Sequence, residues 1–300
     1  MNYLPLTILA YLLNSFAVLI DKYLLAKKAT DPFVYIFYIS LFSSLALLLL
    51  PFTTVPKFSV FVLVSISTLS WTTGAYYMYR ALQIGNVSRV ITVIGTFIPL
   101  ILLLHATATG TISSIEILSV LLLILGLIFL TINDWGKTVT KQELISIALS
   151  STLFAISYIL LRDAYLQEKF FTVFVWSRIV LLPIGLSVLL IPSWRKKLSL
   201  QTSTSSGFLH RKNILFLLGQ FMGGASELLL IFSISLATPV LVNSLQGIQY
   251  ASLYIASFFL SKKMPHIYEN HRGILSNAPK IAGILMIAVG LYFLAFIKSN

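Results

Sequence analysis

The chain has 300 residues, 58% of them hydrophobic and 10% charged, with a mean hydropathy of +0.93. A soluble domain of this length needs a far more polar surface, so composition points to a membrane protein. Cys is absent, which excludes disulfides, thiol catalysis and Cys-based metal sites. The net charge of +12 falls mostly in short loops between apolar runs, where a positive-inside bias and anionic headgroups account for it without nucleic acid.

Apolar runs long enough to cross roughly 30 Å of hydrocarbon lie at 3–26, 33–52, 58–84, 87–108, 113–132, 142–162, 170–192, 213–236, 239–261 and 278–297. They predict an all-α integral membrane protein with ten transmembrane helices. The first run lacks a basic n-region and a small-residue cleavage site, so it is expected to be a retained helix. It carries Asn14, and Asp21-Lys22 close it near the water boundary. The third run brings Trp71 and Tyr76, then turns at Gly85-Asn86 into the fourth. Arg80 and Arg89 flank that joint and read as lipid-phosphate anchors, or as an electropositive mouth for anions. In the fourth run Thr92, Gly95, Thr96 and Pro99 form a stripe of small residues with a proline, suited to a cavity lining or to helix packing with a kink. His105 near its end reads as interfacial.

The polar segment NDWGKTVTK (133–141) divides the chain. Ser157 and Tyr158 in the sixth run are further candidates, and Arg162-Asp163 close it. The seventh run holds Arg178, and after a polar loop at 193–213 the eighth holds Glu227 within GQFMGGASELLLIFS. Counted inward from their shared face, Arg178 lies ~12 Å deep and Glu227 ~15 Å deep. Ionisable groups at such depth need partners or a cavity. The two can pair and lock their helices; alternatively Arg178 receives an anionic group and Glu227 exchanges a proton. Pro239 suits the first turn of the ninth run. There Asn243, Gly247, Tyr250 and Tyr254 share one helical face, flanked by Gln246 and Gln249, as expected of a cavity lining. No His or carboxylate cluster has metal-ligand spacing. Phosphate-binding Gly-rich loops, HExxH and GxSxG are absent, so neither an enzyme nor a cofactor is expected.

The halves 1–136 and 137–300 look related. Ser15-Phe16-Ala17 can be laid on Leu153-Phe154-Ala155, and Gly95 on Gly247. Five helices per half make consecutive repeats inverted, the plan of many transporters with a site near the midplane. Tyr79-Arg80-Ala81-Leu82, Asn86-Val87-Ser88-Arg89-Val90, Pro99-Leu100 and the closing KIAGILMIAVGLYFL (280–294) resemble the EamA family of the drug/metabolite transporter superfamily. Arg178 stands where that family often has an arginine in the second helix of a repeat. The resemblance spans essentially the whole chain. Where the family often has Gly-Glu after a repeat's fourth helix, this sequence has Thr109-Gly110 and Ser261-Lys262-Lys263. The resemblance implies a ten-helix secondary carrier of small metabolites. The expected function is secondary-active or facilitative transport of a small polar metabolite, with proton coupling open through Glu227, by a monomer or homodimer in a prokaryotic plasma membrane. Loop charge puts both termini outside, whereas the resemblance implies cytoplasmic termini. A non-transporting membrane scaffold or assembly protein is the alternative function.

Overall fold

The computed structural model describes residues 3–25, 32–85, 87–131, 140–195, 211–261 and 274–297. The expected loops centred on 27–31, 133–139, 196–210 and 262–273, together with Asn86, lie outside the described residues. Helix forms at all ten expected places, and no strand occurs among the described residues. The helices are α1 (Tyr3–Leu25), α2 (Pro32–Ser43), α3 (Phe58–Ile84), α4 (Val87–Ala108), α5 (Ser114–Thr131), α6 (Lys141–Gln167), α7 (Phe170–Ser187), α8 (Arg211–Leu236), α9 (Pro239–Ser244), α10 (Gly247–Ser261) and α11 (Ile274–Tyr292). By length and composition, 6 are long and apolar enough to cross a membrane.

Their ends follow local chemistry. Glu116 accepts from the N–H and hydroxyl of Ser113, which opens α5 as a capping box. The Thr140 hydroxyl accepts from the Glu143 N–H and so N-caps α6. α4 runs unbroken through Pro99 and ends on Gly110, whose φ is +66°. Gly110 N–H donates to Thr107 and Thr111 N–H to Ala106, the two bonds of a Schellman stop. The second run tightens into a 3₁₀ helix at Ser44–Phe52. The ninth run, expected as one helix, breaks at Leu245-Gln246 into α9 and α10. There the N–H groups of Leu245, Gln246, Ile248 and Gln249 reach back three residues instead of four.

The chain divides into two compact units, each drawing helices from both sides of residue 136. The first comprises Met1–Lys27, Asn86–Val139 and Leu215–Asn300. In it α5 and α11 cross at glycines. A Cβ on Gly126 would stand 2.8 Å from the Gly283 carbonyl and 2.7 Å from Ile287, and one on Gly290 3.1 Å from the Ser119 carbonyl and 2.9 Å from Leu123. Rising numbers on α5 meet falling numbers on α11, so the pair is antiparallel. Such close backbone approach is how helices associate where lipid removes the hydrophobic drive.

The second unit comprises Lys28–Gly85 and Thr140–Ile214. α3 and α6 pack antiparallel along small residues. Gly74 faces Leu153 and Phe154, Ser150 donates to the Gly74 carbonyl at 2.9 Å, and Ser67 bonds Ser157. α2 packs on α7, with Gly185 closed over by Ser40.

Candidate functional site

In the first unit, polar groups of α1 and α10 meet. Asn14 lies about 16 Å along α1 from Tyr3, some two thirds of the way through the candidate span Tyr3–Ile20. Its amide donates to Gln249 Oε1 at 3.1 Å. Ser15 shares a 2.6 Å hydrogen bond with Ser252 and donates to the Gln249 carbonyl. Gln249 is only 2% exposed, so this amide pair stands in for water inside the bundle. α8 joins α1 where Gly223 faces Ala17. One turn beyond, the half-buried Glu227 carboxylate lies within electrostatic reach of the Tyr11 phenol.

The helix break forms the other part of the site. The half-buried Gln246 carboxamide rests on Gly95 of α4; a Cβ there would stand 2.9 Å from its nitrogen. Thr92, one turn earlier, is 1% exposed, and its hydroxyl finds no hydrogen-bond partner among the described residues. Irregular backbone at membrane depth persists only where protein covers it or where it lines a cavity. The expected continuous stripe Asn243, Gly247, Tyr250, Tyr254 is interrupted by this break. Asn243 turns back to donate to the Pro239 carbonyl at 2.9 Å, and Gly247 packs against Ile287. Thr96 donates to the Thr92 carbonyl. Tyr250 is half-buried on α10; the Tyr254 side chain lies outside the described residues.

Arg178 and Tyr76 belong to the second unit, Glu227 to the first. Arg178 sits over the Phe174 ring at 5.0 Å, at the end of a stack running through Phe170 to Tyr165. That cation–π contact gives the guanidinium a role at depth without any substrate. Tyr76 packs against Phe33 and Tyr77. Trp71 packs on Phe154, and Phe154 stacks on Tyr158. Tyr11, Ser15 and Ser252 join the site from the structure and not from the sequence pattern. A signal for two of them exists: Tyr11, Asn14 and Ser15 follow the three-and-four spacing of one helical face.

No family model matches the chain, and no curated protein matches it. Twenty-one chains of known structure do. One, known only as "Crystal structure of protein", superposes with a TM-score of 0.64 over 97% of this chain and 96% of its own, at 12% identity. At that identity the likeness is one of fold.

Proposed function

We propose that the chain is a multi-pass carrier that moves a small polar metabolite by alternating access. In this reading it has ten spans in two inverted five-helix halves, resembles the EamA transporters and resides in a prokaryotic plasma membrane. The observation that carries the proposal is the break at Leu245-Gln246, seated on Gly95 beside the buried Thr92 hydroxyl. Discontinuous spans with polar groups at mid-depth are where such carriers hold their cargo. Asn14, Gln249 and Glu227 extend the polar surface within the same unit.

The inverted halves find support in reciprocal contacts. LGLIFL (125–130) aligns with VGLYFL (289–294), which equates Gly126 with Gly290, Leu123 with Ile287 and Ser119 with Gly283. Gly126 meets Ile287 and Gly283; Gly290 meets Leu123 and Ser119. Each contact is thus the image of the other, as a two-fold axis between the helices demands. Likewise Gly74 on α3 meets Leu153 and Phe154, while Gly223 on α8 meets Ala17, a residue of the segment aligned with them.

A thermal-shift screen of purified protein against amino acids, sugars, nucleosides and organic cations tests the reading. One chemical class should give a saturable shift that Gln246→Ala weakens. The second reading, a scaffold without cargo, is favoured by how many polar side chains are satisfied internally: Asn14 by Gln249, Asn243 by Pro239 and Thr96 by Thr92. The absence of any saturable shift would move the balance to it.

A further inference from the structure

The connection 53–57 between the Ser44–Phe52 segment and α3 is not helical, and it is tied to α7. Trp176 Nε1 donates to the Thr54 carbonyl at 3.1 Å. The Thr54 N–H and hydroxyl both approach the Thr172 hydroxyl, at 3.5 and 3.4 Å. Phe61 meets Trp176 edge-on at 5.8 Å. The result is an open apolar groove of about 250 Å³, walled by Val55, Pro56, Phe58, Phe61 and Trp176. Val55 is 81% exposed and Phe58 80%, so the groove's rim is unburied hydrocarbon. It starts where the apolar helices α3 and α7 begin, and Trp176 lies about 9 Å along α7 from Phe170. The groove therefore runs from the headgroup level into the upper acyl region.

Exposed Lys57 stands in sequence between two of the groove's walls, Pro56 and Phe58. Exposed Lys169 lies one turn before Thr172, next to the half-buried Glu168. Lys57 is joined by the backbone to two of the groove's walls and is exposed, so its long side chain has the reach to bring a positive charge to the rim. A charge at the rim with aromatic rings below matches the two ends of one ligand, a phosphate and an alkyl chain. A neutral protein segment would satisfy the rings and leave the ammonium unused.

We propose that this groove binds one anionic phospholipid, with its phosphate on Lys57 and the upper part of an acyl chain between Phe58, Phe61 and Trp176. The proposal rests on the bilayer placement above but not on transport. The test uses Trp176 as sole fluorophore, with Trp71, Trp135 and Trp194 replaced by Phe, in phosphatidylcholine vesicles. Brominated phosphatidylglycerol should quench it with about five-fold higher relative affinity than brominated phosphatidylcholine, as one lysine at an anionic headgroup allows. Lys57→Gln should bring that ratio to near one while quenching itself persists, and Lys280→Gln should leave the ratio unchanged. Equal quenching by both lipids with Lys57 intact overturns the site, as does a preference that survives Lys57→Gln. Quenching by neither lipid overturns the bilayer placement and the site with it. If the triple replacement fails to fold, native mass spectrometry of the unmodified protein and of Lys57→Gln reads the same preference as retained phosphatidylglycerol.

Discussion

Gly95 and Gly110 resist a larger residue for different reasons, and the difference sets what each substitution does. A methyl at Gly95 meets the far end of a flexible side chain, the Gln246 carboxamide. That group can swing aside, so Gly95→Ala should cost about 1 kcal/mol, the low end of overpacking, while displacing the amide. The pair should then be coupled: Gln246→Ala relieves Gly95→Ala, with an interaction energy above about 0.5 kcal/mol in a double-mutant cycle of thermal unfolding in detergent. Additive effects would mean that the contact does not set the position of the amide. At Gly110 nothing lies within 4 Å of an added Cβ, but φ is +66°. There the cost is in the backbone. Gly110→Ala should lose about 1–2 kcal/mol and Gly110→Asn less, since Asn tolerates the left-handed region. Equal losses for the two would argue against the Schellman stop.

At the scale of elements, the α5–α11 crossing should be the least forgiving. Added methyls at Gly126 or Gly283 run into backbone, the Gly283 carbonyl at 2.8 Å and the Gly126 carbonyl at 2.6 Å. Neither helix can yield without parting from the other, so either Gly→Ala should cost about 1–3 kcal/mol. Gly224→Ala, with nothing within 4 Å, should be neutral or stabilising by up to about 1 kcal/mol through helix propensity. Unfolding midpoints of the three variants check the order. The same elements show what is legible in the sequence. Helix positions are, because the length of an apolar run is a property of the chain alone: 58–84 and 87–108 match α3 and α4 to the residue. The break at Leu245-Gln246 is not. Its flanking residues look like an ordinary polar stripe, and the contacts made at the break, Gln246 on Gly95 and Gly247 on Ile287, join residues far apart in sequence that no local periodicity encodes. Arg178 stands out in the sequence as an isolated charge because its aromatic partner, Phe174, is one of many aromatics in the chain and carries no mark of the pairing.

At the scale of the molecule, the number of crossings decides whether inverted halves are possible at all. An odd count per half inverts the second half, and an even count leaves it parallel. The chain has no native Cys, so single cysteines report sidedness without background. Three positions at the ends of described helices suffice: Thr109 after α4, Thr140 before α6 and Glu168 after α6. With ten spans, α5 separates Thr109 from Thr140 and α6 separates Thr140 from Glu168. An impermeant maleimide applied to sealed vesicles should therefore label Thr109→Cys and Glu168→Cys from one side and Thr140→Cys from the other. Which side takes the pair also resolves the conflict between loop charge, which puts both termini outside, and the family resemblance, which puts them inside. If Thr109→Cys and Glu168→Cys label from opposite sides, one of α5 and α6 does not cross. The halves could then not both hold five spans, and the reciprocal glycine contacts of α5 and α11 would need an origin other than an inverted repeat.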